Sequence, residues 1–154
     1  MEERKNKDIR ARTRARLSIV HLTWQRHLQQ ALLPHGITLK QVYLLRQLVR
    51  HEFLHPSKIA DLLFCDRPTA TVLIQNMEKQ GWVSRTRGER DRRRVRIAIT
   101  EAGRAKLAAL EQSGWQEFEA TVDPLGCLDE MEVAELDRLL GKMNEHLMFS
   151  ENSM

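Results

Sequence analysis

The sequence predicts a mainly α-helical protein that carries one small β-hairpin between its helices. Most of the chain repeats its apolar residues at intervals of three and four, which is the spacing of a helix with one buried face. Residues 95–99 instead alternate apolar and polar side chains with a period of two, as a half-buried strand does. The 154 residues, 42% of them hydrophobic, are enough to build the core of one domain-sized unit.

A long first helix is predicted from about Ile9 to Leu33, behind a basic N-terminal arm. Residues 1–16 hold seven Lys and Arg against three acidic residues. One side of the helix then carries Leu17, Val20, Trp24, Leu28, Ala31 and Leu32. A single small domain offers little surface to cover this stripe, so we expect Leu17 and Val20 to contact a second copy of the chain.

Two shorter helices come next. Thr38 is predicted to begin the first of them, with Gln41 as its capping-box partner. Its apolar stripe is Val42, Leu45, Leu48 and Val49. After a break at His55-Pro56, a second and shorter helix is predicted from the stripe of Ile59, Leu62 and Leu63.

A fourth helix is predicted over residues 67–80, capped by Asp66 and ended by Gly81. Its inner face repeats Ala70, Leu73, Ile74 and Met77 at the buried spacing. Its outer face carries Arg67, Thr69, Thr71, Val72, Gln75 and Asn76. Most of these are short polar groups that can hydrogen-bond to base edges and phosphates, so this face is predicted to bind DNA.

The hairpin is predicted from two strands, residues 82–88 and 95–99, with residues 89–93 at its tip. From Arg85 to Arg96 there are seven arginines and two acids in twelve residues. Such a tip suits a polyanion, because arginines displace counterions from phosphates and enter narrow minor grooves. The alternative is a solvated arginine-rich loop without a binding role.

The C-terminal third is predicted to be helical and acidic. Thr100 is expected to cap a helix that runs to about Val122, and Asp129 with Glu132 forms a capping pair for the last helix. That helix carries the stripe Val133, Leu136, Leu139, Leu140, Met143 and Leu147. Residues 100–154 hold four Lys and Arg against twelve acids. Since acidic helices avoid DNA, we expect Leu136, Leu140 and Met143 to form a dimer interface instead.

A helix, a turn, a polar-faced helix and an arginine-tipped hairpin together make a winged helix-turn-helix. From about Arg10 to Leu147 the sequence resembles the MarR family of transcriptional regulators. The segments that carry the resemblance are Arg67-Pro68-Thr69-Ala70-Thr71, the run from Met77 to Val83, and Asp91-Arg92-Arg93 with Glu101-Ala102-Gly103.

The resemblance implies a role for the wing, the Asp-x-Arg signature of which is matched by Asp91 and Arg93. It implies that Arg93 enters the minor groove, with Arg92 beside it, and that Asp91 holds the wing in shape. Family members often carry arginine where this chain has Val72 and Asn76. We therefore expect Val72 to touch thymine methyl groups and Asn76 to bind adenine.

Three parts are expected: an N-terminal arm and dimerisation helix (1–36), the winged helix-turn-helix (37–100) and C-terminal dimerisation helices (101–154). The chain is then a cytoplasmic homodimer that binds a pseudo-palindromic operator, as a repressor relieved by a small ligand. The resemblance implies an anionic aromatic ligand between the dimer helices and the DNA-binding domain. Trp24 and Tyr43 are the predicted ligand contacts, or alternatively core residues. A second interpretation is an architectural nucleic-acid binder without sequence preference.

An enzymatic interpretation rests on His51-Glu52-Phe53-Leu54-His55, which matches the zinc-protease pattern H-E-x-x-H. That chemistry needs both histidines on one helical face, and Pro56 biases residue 55 away from helical geometry. We therefore expect no catalytic residue, metal or cofactor. Cys65 and Cys127 imply no disulfide framework, although Cys65 is either an oxidisable thiol or a small packed residue. No apolar run is long enough for a membrane span.

Overall fold

The computed structural model describes residues 2–87 and 94–151, with side chains from 5 to 87 and from 94 to 148. These ranges confirm the mainly α-helical class with a small hairpin. The elements are α1 (Glu2–Leu32), α2 (Leu39–Arg50), α3 (Pro56–Leu62), α4 (Arg67–Lys79), β1 (Val83–Arg87), β2 (Val95–Ile99), α5 (Glu101–Gln112), α6 (Trp115–Thr121) and α7 (Glu130–Glu151).

The core lies where α2, α3, α4 and α5 meet the hairpin. Its largest fully buried side chains include Leu44, Leu45, Leu48, Ile59, Ile74, Met77, Ile97 and Leu110. Leu32 at the end of α1 is also fully buried, so the first helix joins this core through its C-terminal end. The predicted stripe of α2 is right for Val42, Leu45 and Leu48 but wrong for Val49, which is exposed near the end of the helix.

Helix capping follows the sequence closely. Thr38 and Gln41 form a reciprocal capping box at the start of α2. Asp66 and Thr100 each accept a backbone N–H three residues ahead, at the starts of α4 and α5. Each cap satisfies a donor that the first turn of a helix leaves without an intrahelical acceptor.

The wing contains a third short segment besides its two strands. β1 and β2 pair antiparallel, from Val83 opposite Ile99 to Arg87 opposite Val95. Leu54, in the loop between α2 and α3, exchanges two backbone hydrogen bonds with Ile97, of 2.8 and 2.9 Å. The sequence did not predict this pairing. It fixes the outer edge of β2 to the helical body.

Gly103 marks a close approach of α5 to the root of the wing. A Cβ atom at this position would lie 2.1 Å from the backbone oxygen of Trp82. Thr100, just before α5, also joins α5 to the root of the wing. Its N–H donates to the Trp82 oxygen and its hydroxyl donates to the Gly81 oxygen. Only glycine fits position 103 without displacing this contact.

Two predicted helix boundaries are wrong. α1 begins at Glu2 instead of Ile9, so most of the basic arm is helical. The helix expected from Thr100 to Val122 is divided into α5 and α6 at Gly114, which has a left-handed backbone with φ of 85°. The break turns Trp115 into the core, where it packs against Phe118. Within the described ranges, no helix combines the length and apolarity that crossing a bilayer requires.

The terminal helices leave apolar side chains uncovered. Leu17 and Val20 are exposed on α1, and Leu140 and Met143 are exposed on α7, while Leu136 is half-buried. The capping pair predicted for α7 is present, because Asp129 and Glu132 each accept the other's backbone N–H. Part of each predicted stripe therefore remains exposed in this single chain, whereas the C-terminal end of the α1 stripe, at Leu28 and Leu32, is buried in the core.

Candidate nucleic-acid interface

The start of α4 is fixed by its cap and by the turn before it. The Asp66 carboxylate accepts the Thr69 N–H at 2.7 Å. Hydrogen bonds from the Thr69 side chain and from this N–H hold the pKa of Asp66 below its usual value. In the preceding turn, Cys65 N–H donates to the Ala60 oxygen and Phe64 N–H to the Asp61 oxygen. This is the Schellman arrangement that ends α3, and it sets the angle at which α4 leaves the turn.

All six predicted contact residues of α4 are exposed on its outer face: Arg67, Thr69, Thr71, Val72, Gln75 and Asn76. The Thr71 hydroxyl donates to the Arg67 backbone oxygen at 2.9 Å. Its proton is thus engaged within the helix, and its oxygen keeps a lone pair that can accept from a base amino group. The opposite face buries Ala70, Ile74 and Met77, as the sequence predicts, while Leu73 is only half-buried.

The outer face also has an apolar part. Pro68, Val72 and Leu73 line a shallow hollow together with Thr69 and Asn76. More than half of the Val72 side chain is exposed there. A hollow of this kind, with an amide at its edge, can receive a thymine methyl group while the amide binds a neighbouring base.

The strands of the wing carry exposed arginines that are held in place by packing. Arg85 of β1 forms an ion pair of 3.4 Å with Glu78 of α4. The Arg96 guanidinium of β2 lies 4.4 Å from the centre of the Phe53 ring. Both contacts tie the wing to the helical body. The predicted wing residues Asp91, Arg92 and Arg93 lie outside the described residues.

A cleft between α4 and the wing was not predicted from the sequence. It has a volume of about 460 Å³ and is lined by His55, Pro56, Ser57, Arg67, Thr71, Arg94 and Val95. We call it the wing cleft. Of the seven described residues that line it, five lie outside α4 and outside the predicted tip, and no periodic pattern joins them. Of these seven residues, the sequence predicted only Arg67 and Thr71 as DNA contacts.

The predicted ligand contacts Trp24 and Tyr43 come together in a second cavity, of about 490 Å³, between α1, α2 and the end of α3. Both side chains are partly exposed, so the alternative that they are core residues is wrong. In the same wall, the Arg46 guanidinium donates two hydrogen bonds to the Glu119 carboxylate, of 3.0 and 2.8 Å. The hydrogen bonds to Glu119 raise the pKa of Arg46.

The H-E-x-x-H segment does not form the helix that its metal chemistry needs. α2 ends at Arg50, and both His51 and His55 have extended backbones, with ψ of 139° and 147°. The two imidazoles therefore do not stand one turn apart on a helical face. Nδ1 of His55 is instead 2.7 Å from the Val95 backbone oxygen.

Comparison with known proteins adds independent information. Residues 35–94 match the model of the MarR family. The transcriptional regulator SarZ of Staphylococcus epidermidis is 33% identical over 90 residues, which cover 56% of this chain and 61% of SarZ. The organic hydroperoxide resistance transcriptional regulator of Bacillus subtilis is 40% identical over 68 residues, 44% of this chain and 46% of that protein. The chain thus spans less than two thirds of these curated relatives.

Solved structures extend the match over more of the chain. A mutant MarR of Escherichia coli, crystallised with operator DNA, superposes with a TM-score of 0.72 at 26% identity over 82% of this chain and 89% of that one. MepR of Staphylococcus aureus, in a complex with DNA, gives 0.74 at 26% identity over 84% and 94%. AbsC of Streptomyces coelicolor, at 23% identity, gives 0.79 over 90% and 93%, which supports the fold.

Proposed function

We propose that the chain, whose residues 35–94 match the MarR family model, is a DNA-binding transcriptional regulator that reads a pseudo-palindromic operator as a homodimer. The observation that carries the proposal is the outer face of α4. It presents six exposed contact residues, few of them charged, beside a wing that is rich in arginine. A helix of this kind reads base edges, while the arginines hold the phosphates.

The proposed division of labour is as follows. Thr71, Val72 and Asn76 read bases in the major groove, and Arg67, Thr69 and Gln75 support them. Arg92 and Arg93 contact the minor groove from the wing, which Asp91 holds in shape. These roles follow the geometry of winged helix-turn-helix readers, in which the second helix of the motif occupies the major groove.

The dimer is proposed from the uncovered stripes. Leu17 and Val20 on α1 and Leu140 and Met143 on α7 would be buried by the same helices of a second copy. In terms of the chain, residues 1–36 and 101–154 supply the dimer contacts and residues 37–100 bind DNA. Two copies related by a two-fold axis would place two reading helices in successive major grooves, about 34–36 Å apart.

We further propose that the regulator is a cytoplasmic repressor relieved by a small aromatic or phenolic ligand. The cavity that contains Trp24 and Tyr43 supports this, because it offers two aromatic rings next to the charged Arg46–Glu119 pair. Its volume, about 490 Å³, falls in the range of ordinary small-molecule sites. A ligand there would touch α1, α2 and the turn that leads into α4.

Selection of duplexes from a random pool by the pure protein tests the central claim. We expect one palindromic sequence, bound at least ~10³ times more tightly than competitor DNA. Equal affinity for all duplexes would favour an architectural binder instead. In variants Thr71→Ala, Val72→Ala and Asn76→Ala we expect an altered sequence preference, each at a cost of about 1–3 kcal/mol on the best site.

The wing is tested by Arg93→Ala, with Arg104→Ala on the exposed side of α5 as its matched control. We expect Arg93→Ala to weaken binding to every duplex and to reduce the salt dependence by about one phosphate contact per half-site. Arg104→Ala should leave both quantities unchanged. Equal behaviour of the two variants would disprove the role given to the wing.

A further inference from the structure

The wing cleft combines positive charge with hydrogen-bonding groups from three separate elements. Arg67 and Thr71 come from α4, Ser57 from the first turn of α3, and Arg94 from the residue before β2. His55 stands at the junction between them. The chemistry of this lining favours an anion, because two guanidinium groups and the Ser57 hydroxyl share a cleft of about 460 Å³.

The position of the cleft identifies the anion. The cleft lies between the helix proposed to read the major groove and the wing proposed to enter the neighbouring minor groove. A DNA strand separates two adjacent grooves, so its phosphates must pass between these two elements. The ligand expected in the wing cleft is therefore a backbone phosphate of the bound duplex.

The hydrogen bonding of His55 gives this site a specific chemistry. A backbone carbonyl can only accept, so the 2.7 Å contact with the Val95 oxygen requires Nδ1 of His55 to carry a proton. Phe53 packs against the ring edge-on, at 5.4 Å between centroids. With Nδ1 engaged, Nε2 is the nitrogen left for a ligand, and in the neutral ring it is an acceptor with a lone pair.

A phosphate oxygen and a neutral Nε2 cannot bond, because both are acceptors. Uptake of one proton from solvent at Nε2 makes the ring a cation that donates to the phosphate, while the Nδ1 bond is kept. Among the described residues, the charged groups that line the cleft with His55 are Arg67 from α4 and Arg94 from the residue before β2. The phosphate supplies the negative charge that compensates a third cation beside them.

We propose that the wing cleft binds one backbone phosphate per half-site and that His55 takes up a proton when it does so. The inference rests on the proposed function, since it requires a bound duplex. The protonated form is then favoured in the complex, so DNA affinity rises as the pH falls. The effect is at most about tenfold per pH unit per half-site, because one proton is exchanged.

The test measures the affinity of the full chain for its selected duplex between about pH 6 and 8.5 at constant ionic strength. His55→Asn is the central variant, because its amide nitrogen can still donate to the Val95 oxygen while nothing replaces Nε2. His55→Gln places an amide donor near Nε2 that does not titrate. His51→Asn, with the same change at an exposed residue of the same loop, is the matched control.

We expect affinity to fall with rising pH in the wild type and in His51→Asn, and to be nearly independent of pH in both His55 variants. Calorimetry in buffers with different heats of ionisation should show proton uptake only in the first pair. A wild-type affinity that does not change with pH, or an unchanged pH dependence in His55→Asn and His55→Gln, would overturn the proposal. Circular dichroism of each variant identifies a loss of fold.

Replacing single phosphates of the duplex by neutral methylphosphonates locates the contact. One position per half-site should abolish both the pH dependence and the difference between wild type and His55→Asn. If no position does so, the proton is taken up elsewhere and the assignment to the cleft is wrong. If the wild type selects no duplex at all, the proposed function fails, which is a different result from specific binding without pH dependence.

Discussion

The winged helix-turn-helix and the two terminal helices differ in how far each completes its own packing. In the first, apolar side chains of three helices and both strands enclose a common core, and Leu44, Ile59, Ile74 and Ile97 are fully buried. In the second, Met143 and Leu147 remain about half exposed or more along α7. The comparison indicates that the winged helix-turn-helix completes its core within one chain, whereas the terminal helices leave apolar side chains that only another surface could cover.

The largest effect should come from charging the uncovered stripe. We expect Leu136→Glu with Leu140→Glu to yield a monomer that keeps its helical content, because the winged helix-turn-helix does not depend on α7. Operator affinity should fall by about 100-fold or more, since one half-site then binds without its linked partner. Sedimentation and titration of the selected duplex measure the two effects.

Lys142→Glu is the control for that variant, because it changes charge on the same helix outside the stripe. It should remain dimeric and bind normally. A double variant that stays dimeric would place the two-fold contact elsewhere, in the first instance around Leu17, Val20 and Trp24 on α1.

A pair of glycine substitutions contrasts the two regions directly. In Gly103→Ala the new methyl meets the Trp82 backbone oxygen, so we expect a loss of about 3 kcal/mol in the free energy of unfolding. In Gly141→Ala the new methyl has no atom within 4 Å in the described chain, and alanine is the better helix former. That variant should gain up to about 1 kcal/mol, provided that the proposed dimer contact tolerates a methyl group. Thermal and denaturant unfolding of both variants should show stability changes of opposite sign.

The Arg46–Glu119 pair joins α2 of the winged helix-turn-helix to α6. Both side chains are less than one-third exposed and the contact is bidentate, so we expect Arg46→Gln to cost about 1 kcal/mol of stability. Arg138→Gln removes a second bidentate pair, with Glu135, which is well exposed on α7. That control should have no measurable effect. Equal losses in the two variants would show that burial does not distinguish these pairs.

The smallest expected effect lies at the start of α4. Accepting from Thr69 lowers the pKa of Asp66, so the folded state favours the ionised carboxylate. This contribution is complete above the ordinary pKa of an aspartate, about 3.9, and is lost as the pH falls through the lower pKa of the folded state. In Asp66→Asn the contribution should no longer depend on pH. Amide exchange of Thr69 across the acid range, compared with Gly103 behind Thr100, would detect the difference.

The parts of the fold that the sequence predicted are those decided within a few residues. The caps at Thr38, Asp66 and Thr100 each depend on a side chain and a backbone N–H three residues ahead. The split at Gly114 was missed because the apolar pattern of that region is loose, and a left-handed glycine leaves no periodic signal. Gly103 was recognised only through resemblance, whereas its physical reason, the Trp82 oxygen, lies twenty-one residues earlier in the chain.

The candidate site was predictable to the same extent. The outer face of α4 follows from helical periodicity alone, and all of its residues are exposed as expected. The wing cleft could not be predicted, since His55, Ser57 and Arg94 come from two loops and a helix end that only tertiary packing brings together. The pairing of Leu54 with Ile97 is what places His55 beside Val95, and such long-range pairings leave no mark in a local pattern.

Thr100 has a mechanical consequence that goes beyond capping. Three of its hydrogen bonds, to Trp82, Gly81 and Gly103, fasten the end of α4, the root of the wing and the start of α5 at a single residue. These three elements should therefore move together as one rigid body when α5 tilts. In the proposed dimer, a signal that reaches α5 would change the distance and angle between two rigid reading heads and leave the shape of each unaltered. A bound ligand would then lower operator affinity because the spacing between the two reading helices no longer matches the spacing between half-sites. The bases preferred within each half-site would stay the same.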